Sequence, residues 1–203
     1  MPAEPSSGQS PRAPRADAVR NRERLLEVAA EVVAEQGTQA SLRDVARRAE
    51  VGLGTLYRHF PTREALLEAL LHRRFRALAE RADGLAGGGP APERALREWL
   101  YEFTREAGAY QGLPATLVAT LGDVGSPLHA DCLAMREAAG RLLERAQRAG
   151  AVRSDVTPLD LYALSNALGW VSGQSEQLAR RRDHLFELLF AGLGAAPSTE
   201  LRA

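Results

Sequence analysis

Apolar side chains recur at three- and four-residue spacing along most of the chain, and this period predicts amphipathic α-helices. Leu, Ala and Val dominate the apolar positions, and no stretch alternates apolar and polar residues long enough to predict a strand. Gly37 and Gly150 follow two of the helical segments as C-terminal caps. The pattern predicts an all-α fold of about nine helices, over residues 17–36, 41–49, 53–60, 62–82, 92–109, 114–121, 127–149, 157–179 and 183–193.

Three segments lack this period. Residues 1–16 are rich in Pro, Ser and Gly, so we expect a disordered arm. Residues 84–92 contain Gly87-Gly88-Gly89-Pro90 and predict a flexible connection between two helical regions. Residues 196–203 follow the last predicted helix as a short tail.

Two short predicted helices between residues 41 and 60 are joined by a turn of three or four residues, the spacing of a helix-turn-helix. Ala46 and Ala49 are small where the two helices must approach closely, and Gly52 relieves the turn. Such a pair supports its second helix so that this helix can enter a DNA major groove. Because Ala-rich helical pairs often mimic the pattern, the spacing alone does not decide the function.

The overall charge neither supports nor excludes nucleic-acid binding. The chain carries 26 arginines, no lysine and 26 acidic residues, so its formal net charge is zero. Any DNA contact must therefore come from a local patch of arginines, whose planar guanidinium groups pair well with phosphate.

The cellular compartment follows from what the sequence lacks. The single cysteine, Cys132, excludes an internal disulfide. No apolar stretch approaches the roughly 20 residues of a membrane span, and the N-terminus has no secretory signal pattern. We therefore expect a cytoplasmic protein without a membrane partner.

Residues 40–71, ASLRDVARRAEVGLGTLYRHFPTREALLEALL, resemble the DNA-binding segment of the TetR family of transcriptional regulators. A long predicted helix ending in Gly37-Thr38 precedes the segment, as in that family. The resemblance covers about residues 17–75, and the rest of the chain agrees in length and helical content. Its features are carried here by Val45, Ala46, Ala49, Val51, Gly54, Thr55, Leu56, Tyr57, His59, Phe60, Arg63, Glu64 and Leu66.

The resemblance implies a homodimer whose heads bind neighbouring major grooves of a palindromic operator in double-stranded DNA. It also implies a small-molecule effector of unknown identity, which moves the fourth helix and releases the DNA, and it favours repression over activation. A ligand-independent, architectural DNA-binding protein is the alternative. We divide the chain into a disordered arm (1–16), a helix-turn-helix domain (17–61), a ligand-binding and dimerisation domain (62–195) and a tail (196–203).

The candidate DNA contacts lie on the predicted third helix and around the helix starts beside it. Arg58 is the candidate for reading a guanine edge or clamping a phosphate, and hydroxyl groups and helix N-termini commonly bind phosphate. Arg12 and Arg15 lie either in a solvated tail or in an arm that reaches a minor groove. The candidate set is Thr38, Ser41, Arg43, Leu53, Gly54, Thr55, Tyr57, Arg58, His59 and Arg63.

Two positions depart from the family pattern. Gly52 stands where many members have a capping serine, which weakens the cap of the third helix. Leu53 stands where a polar residue is common, and it is a candidate for contact with a thymine methyl group. These differences bear on the operator sequence rather than on DNA binding itself.

Two further sets belong to the C-terminal region. Bulky and polar residues that line an effector pocket or else simply pack in the core are Trp99, Phe103, Tyr110, His129, Cys132, Met135, Asn166 and Trp170. The last two helices are apolar on more than one face, and Gly169 and Gly173 permit close helix approach, so we expect an isologous dimer interface. Its candidates are Leu161, Leu164, Leu168, Val171, Leu185, Leu188, Leu189 and Phe190.

An enzyme is the rival class of function. The chain has no nucleophile elbow, zinc-protease motif, phosphate loop or dinucleotide fingerprint. Its four histidines are scattered and, with Cys132, show no metal-ligand spacing. We expect no catalytic residues, no metal and no cofactor.

Overall fold

The computed structural model describes residues 12–88, 90–110 and 112–194, with side chains from residue 19 onward. Within these ranges the predicted all-α class is confirmed, with one isolated β-bridge between Val152 and Gly194. Two 3-10 turns cover Gly37–Gln39 and Gly108–Tyr110. The α-helices are α1 (Arg12–Gln36), α2 (Leu42–Arg48), α3 (Leu53–His59), α4 (Arg63–Ala86), α5 (Pro92–Ala107), α6 (Ala115–Gly122), α7 (Pro127–Arg148), α8 (Pro158–Ser172), α9 (Glu176–Arg180) and α10 (Arg182–Leu193).

Helices α1, α2 and α3 and the first two turns of α4 enclose one apolar core, here called the head core. Aliphatic side chains fill it, together with Phe60 at the end of α3. Leu117 of α6 also packs into this core, so the C-terminal region contacts the head directly. Its most buried members are Leu25, Ala29, Val32, Val33, Val45, Ala49, Leu56 and Leu67.

The remaining helices enclose a second, larger core, here called the body core. Helix α4 packs along α7, and α5 lies against α7 and α8. Trp99 is 2% exposed, and its indole Nε1 donates to the carbonyl oxygen of Leu78 at 2.8 Å. A buried indole needs such an acceptor because burial removes the water molecules to which its N–H would otherwise donate.

Helix α4 belongs to both cores. Leu66, Leu67 and Leu70 lie in the head core, whereas Leu71 and the leucines and phenylalanine that follow lie in the body core. The helix begins at the N-cap Thr62, whose side chain accepts from the backbone N–H of Ala65 at 3.0 Å. The two cores therefore meet within this helix, beyond the boundary at residue 62 expected from the sequence.

Several helix ends differ from the prediction. Helix α1 already includes residues 12–16, which were expected to be disordered, while residues 1–11 and the tail 196–203 lie outside the described residues. Helix α4 extends through Ala86 into the predicted connection. The helix expected over 157–179 ends at Ser172, because Ser175 starts a new helix by accepting from the backbone N–H of Leu178.

Gly169 lies where α8 crosses the C-terminal end of α5. A Cβ atom at this position would stand 2.8 Å from Cβ of Ala107 and 2.9 Å from the backbone nitrogen of Gly108. The close approach that we expected between protomers at Gly169 therefore occurs within the chain, between α8 and α5. Gly173 ends α8 as its C-cap.

Candidate functional site

Helix α3 presents one face to solvent and the other to the head core. Leu56 is fully buried, and Phe60 at the helix end is 2% exposed. Tyr57 and Arg58 are exposed, while Thr55 and His59 are half-buried at the edges of this face. The outward face expected from the 3.6-residue period is therefore present. A short helix with such a face can enter a DNA major groove.

Helix α2 supports α3 through a tight corner. Ala46 and Ala49 are buried between the helices, and the backbone N–H of Val51 donates to the carbonyl oxygen of Ala46 at 3.0 Å. Glu50 takes a φ of 57°, a left-handed conformation that is uncommon for a residue other than glycine. Gly52 has no side-chain cap to offer α3, as expected from its departure from the family pattern.

Two of the arginines beside this corner are paired with carboxylates. Arg47 donates to the carboxylate of Asp44, and Arg48 lies 2.7 Å from a carboxylate oxygen of Glu35. The hydrogen bond from Arg47, followed by one from Gln36, holds the pKa of Asp44 below its usual value. These arginines are therefore locally neutralised, a pairing that the sequence pattern did not reveal.

Arg43 and Arg58 remain as free positive charges on this surface. Both side chains are exposed, and neither forms an ion pair within the described ranges. An exposed arginine without a carboxylate partner is free to bind a phosphate or a base edge. These two arginines, one on α2 and one on α3, therefore contribute exposed positive charge to this surface.

Two predicted contacts have different surroundings. Thr38 is 3% exposed, and its hydroxyl donates to the carbonyl oxygen of Gly112 at 2.9 Å. The expectation that Thr38 contacts phosphate is therefore wrong for its side chain, which instead ties the head to the loop after α5. Arg63 is half-buried, and its Nη1 donates to Oε1 of Gln39 at 3.1 Å.

Ser41 and the remaining candidates keep positions close to this face. Ser41 caps α2, where its side-chain oxygen accepts from the backbone N–H of Asp44 at 3.4 Å. Gly54 is exposed and Leu53 is half-buried, both in the first turn of α3. Leu53 and Gly54 lie one helical turn before the exposed Tyr57 and Arg58.

A second feature is a cleft of about 770 Å³ between the head and the body. Helix α1 forms one wall through Ala30, Glu31 and Ala34. The facing walls come from α4, the end of α5, α8 and the α9–α10 region. Its volume falls in the range of roughly 300–1,000 Å³ that is usual for small-molecule sites.

Arg74 is the central charged residue of this cleft, and it is only 8% exposed. Its Nη2 donates to the carbonyl oxygen of Phe103 at 3.3 Å, and its Nε lies 3.4 Å from Oε2 of Glu106. The guanidinium carbon stands 5.2 Å from the ring centroid of Phe103 and 4.9 Å from that of Tyr110. Burial lowers the pKa of Arg74, although an arginine stays charged at neutral pH.

Arg74 was not among the residues predicted from the sequence, although its position in the helix carries a signal. The residue lies on the apolar stripe of α4, between Leu70 and Leu71 on one side and Phe75 and Leu78 on the other. A charge at such a position is rare unless it is paired or functional.

The predicted pocket residues are dispersed. Tyr110 lines the cleft, and Phe103 packs against the same guanidinium. Trp99, Cys132 and Met135 pack in the body core. His129, near the start of α7, donates from Nδ1 to the carbonyl oxygen of Leu121, and Asn166 donates to the carbonyl oxygen of Tyr162. Trp170 is 56% exposed on α8, so its assignment to an interior pocket is wrong.

The predicted dimer residues divide into two groups. Leu161, Leu168 and Phe190 are buried in the body core, so they are unavailable to a partner and their assignment is corrected. Leu164 and Leu188 are exposed, while Val171, Leu185 and Leu189 are half-buried. Trp170 of α8 is a further exposed apolar side chain in this region.

Other chemistries find little support in the part of the chain that the structure describes. No group of three or more His, Cys, Asp or Glu side chains is arranged to hold a metal ion there. Each described helix is too short or too polar to cross a membrane. Burial raises the pKa of the Cys132 thiol, which keeps it protonated and unreactive at neutral pH.

Comparison with known families agrees with this arrangement. Residues 25–70 match the family described as bacterial regulatory proteins, tetR family, and residues 91–195 match the family described as transcriptional regulator SbtR-like, C-terminal domain. The chain belongs to the TetR family of transcriptional regulators. It is accordingly a ligand-responsive, DNA-binding regulator and not an enzyme.

Individual TetR relatives match over different lengths. The TetR transcriptional regulator SCO0520 from Streptomyces coelicolor has a TM-score of 0.68 at 33% identity, covering 87% of this chain and 99% of that one. The transcriptional repressor KstR of Rhodococcus jostii is 29% identical over 83% of this chain and 82% of its own length. KstR of Mycolicibacterium smegmatis is 40% identical over 72 residues, so that match spans only 34% of this chain and 35% of that protein.

Proposed function

We propose that this TetR-family protein is a homodimeric repressor that holds a palindromic operator and releases it when a small molecule enters the cleft. The observation that carries the proposal is the single helix α4, which packs in both the head core and the body core. A ligand that contacts α4 in the cleft would therefore act on the same helix that packs beneath α3 in the head core. The protein would act in the cytoplasm, where its operator lies.

The DNA-binding face consists of the exposed side of α3 and the capped start of α2. Arg58 is best placed to donate two guanidinium N–H groups to O6 and N7 of a guanine, since Tyr57 and Arg58 are the exposed side chains of the helix centre. Arg43, Ser41 and Arg63 flank this helix and would contact phosphates. Thr38 contributes through its bond to Gly112, which fixes the head against the body.

Dimerisation through α8 and α10 would bury the exposed apolar surface of Leu164, Trp170 and Leu188. A twofold interface of this kind would set the distance between the two α3 helices, and so the spacing of the half-sites. Sedimentation at micromolar concentration tests it: Leu164→Asp should shift a dimer toward monomer. Val124→Asp, at an 82% exposed loop position, is the matched control and should leave the dimer intact.

Repression is proposed from the relatives, because the KstR proteins that match this chain are described as repressors. Repression requires only that the bound protein block a promoter, and an effector that lowers the DNA affinity relieves it. The effector-induced change would be a shift of α4 between the two cores, since this helix contacts both.

The deciding experiment is selection of genomic DNA fragments by the purified protein at ~150 mM salt. We expect enrichment of palindromic sites, with half-sites about one helical turn or more apart. Arg58→Ala should lose this enrichment, whereas Arg94→Ala, at an exposed position of α5, should retain it. Equal recovery of random fragments by the wild-type protein would favour the architectural alternative instead.

A further inference from the structure

We propose that the effector of this protein is an amphipathic anion, such as a carboxylate with an apolar tail, whose charged group binds Arg74. This inference rests on the proposed function, since it names the chemistry of the ligand that the cleft would take. Three observations carry it: the buried guanidinium, two buried hydroxyl groups without partners, and the charge of the cleft walls.

The Arg74 guanidinium keeps unused hydrogen-bonding capacity. Of its five N–H groups, one donates to the carbonyl oxygen of Phe103, and Nε faces Oε2 of Glu106 at 3.4 Å as an ion pair without hydrogen-bond geometry. The rings of Phe103 and Tyr110 hold the guanidinium plane in place. An arginine fixed in this way binds a planar carboxylate with two parallel hydrogen bonds.

Two hydroxyl groups of the same cleft are also unpartnered. Thr104 is 1% exposed and Ser172 is 6% exposed, and neither side-chain oxygen has a hydrogen-bond partner in the described part of the chain. Both lie in helices, where a hydroxyl commonly bonds to the carbonyl one turn earlier. Buried polar atoms left unpaired in this way cost free energy, which a ligand would recover only if its polar atoms reach these two oxygens.

The charge of the cleft favours an anion over a cation. Four arginines line it, against two glutamates, Glu31 and Glu106. Arg73 also faces Glu27 outside the cleft at 3.8 Å, which offsets part of one positive charge. Apart from Thr104, Tyr110 and Ser172, the uncharged lining residues are Leu70, alanines and glycines, which would accept a hydrocarbon tail.

Calorimetric titration without DNA tests the head group alone. Octanoate, octan-1-ol and octylamine share one tail, and we expect octanoate to bind roughly tenfold or more tightly than either of the others. Arg74→Met should lower the octanoate affinity by about tenfold or more and leave octan-1-ol binding nearly unchanged. Arg81→Met is the matched control, because Arg81 lies on α4 and pairs with Glu98 and Glu102 away from the cleft.

Thr104→Val keeps the shape of the side chain and does not touch the ion pair, so it provides a second test if Arg74→Met unfolds. It should weaken octanoate binding severalfold. Equal binding of the three compounds, preference for octylamine, or no binding of octanoate at millimolar concentration would overturn the assigned ligand class. Operator binding is measured separately: octanoate that binds through Arg74 but leaves the operator complex intact supports the ligand class and contradicts effector-induced release.

Discussion

The head and the body of this protein differ in where their polar side chains lie. In the head, Thr38 is the one buried polar side chain among the described residues, and its hydroxyl is satisfied by Gly112. In the body, Arg74, Thr104, Ser165 and Ser172 are buried, and the three hydroxyl groups have no hydrogen-bond partner there.

This difference corresponds to two kinds of binding. A DNA-binding surface needs exposed cations on a rigid support, so an apolar, well-packed core beneath it serves well. A small-molecule site needs polar groups inside a dry cavity, and it accepts the free-energy cost of leaving them unpaired until the ligand arrives. The same chain can do both because the two cores are separate and share only α4 and a few neighbouring contacts.

The largest expected effect tests whether α3 depends on the head core. Leu56→Ala removes a fully buried side chain of α3 and leaves a cavity beneath the DNA-binding face. We expect the free energy of unfolding to fall by about 2–5 kcal/mol, measured by chemical denaturation, with loss of operator binding. Leu133→Ala, at a 42% exposed position of α7, is the control and should change stability little. Equal effects of the two substitutions would contradict the packing described for α3.

A second test concerns the body. Gly169→Ala places a methyl group against Ala107 and Gly108, and it should force α8 away from α5. The expected cost is about 1–3 kcal/mol in thermal unfolding, and the cleft, which Gly169 lines, should change shape. Gly192→Ala, where a Cβ would meet nothing within 4 Å, should be neutral or stabilising. A neutral Gly169→Ala would show that this crossing is looser than the contacts indicate.

A third test separates reading of bases from binding of phosphates on the head. Arg58→Ala should weaken operator binding by about 1–3 kcal/mol and relax the preference at one base pair. Arg43→Ala should weaken binding to all sequences alike and reduce the salt dependence by about one counterion. Both are measured by DNA titration at several salt concentrations. If Arg43→Ala changes the sequence preference and Arg58→Ala does not, their roles are reversed.

The smallest expected effect is the pH dependence of stability that comes from one carboxylate at a helix start in the head and one in the body. Hydrogen bonds from the side chain and backbone of Thr157 hold the pKa of Asp160 below its usual value, and the hydrogen bond from Arg47 does the same for Asp44. Because the folded pKa is lowered, each carboxylate stabilises the fold above its unfolded pKa near ~4, and this contribution is lost as the pH falls through the folded value.

Asp160→Asn and Asp44→Asn should therefore each lower stability at neutral pH and flatten its decline below pH ~4. Thermal unfolding across that pH range measures both variants beside the wild-type protein. A decline as steep as that of the wild-type protein would mean that neither carboxylate contributes to the acid sensitivity.

The fold class and the helix-turn-helix were predictable because their determinants are contiguous in the chain. The three- and four-residue period predicted most of the helices, and the segment from residue 40 to 71 identified the helix-turn-helix. Ser41, Thr62 and Thr157 were recognised as helix starts, and each of them accepts a backbone hydrogen bond in the structure. Local hydrogen bonds and helix period require no knowledge of distant residues.

The cleft and the partners of each polar side chain were decided only by the tertiary structure. Arg74 meets Phe103, Glu106 and Tyr110 because α4 and α5 cross there, a contact that bridges about thirty residues of chain. The packing of the helices also explains why Thr38 donates to Gly112 instead of facing DNA, and why Trp170 is exposed instead of lining an interior pocket. The period of a helix tells which residues share a face, but only the packing of helices tells what that face meets.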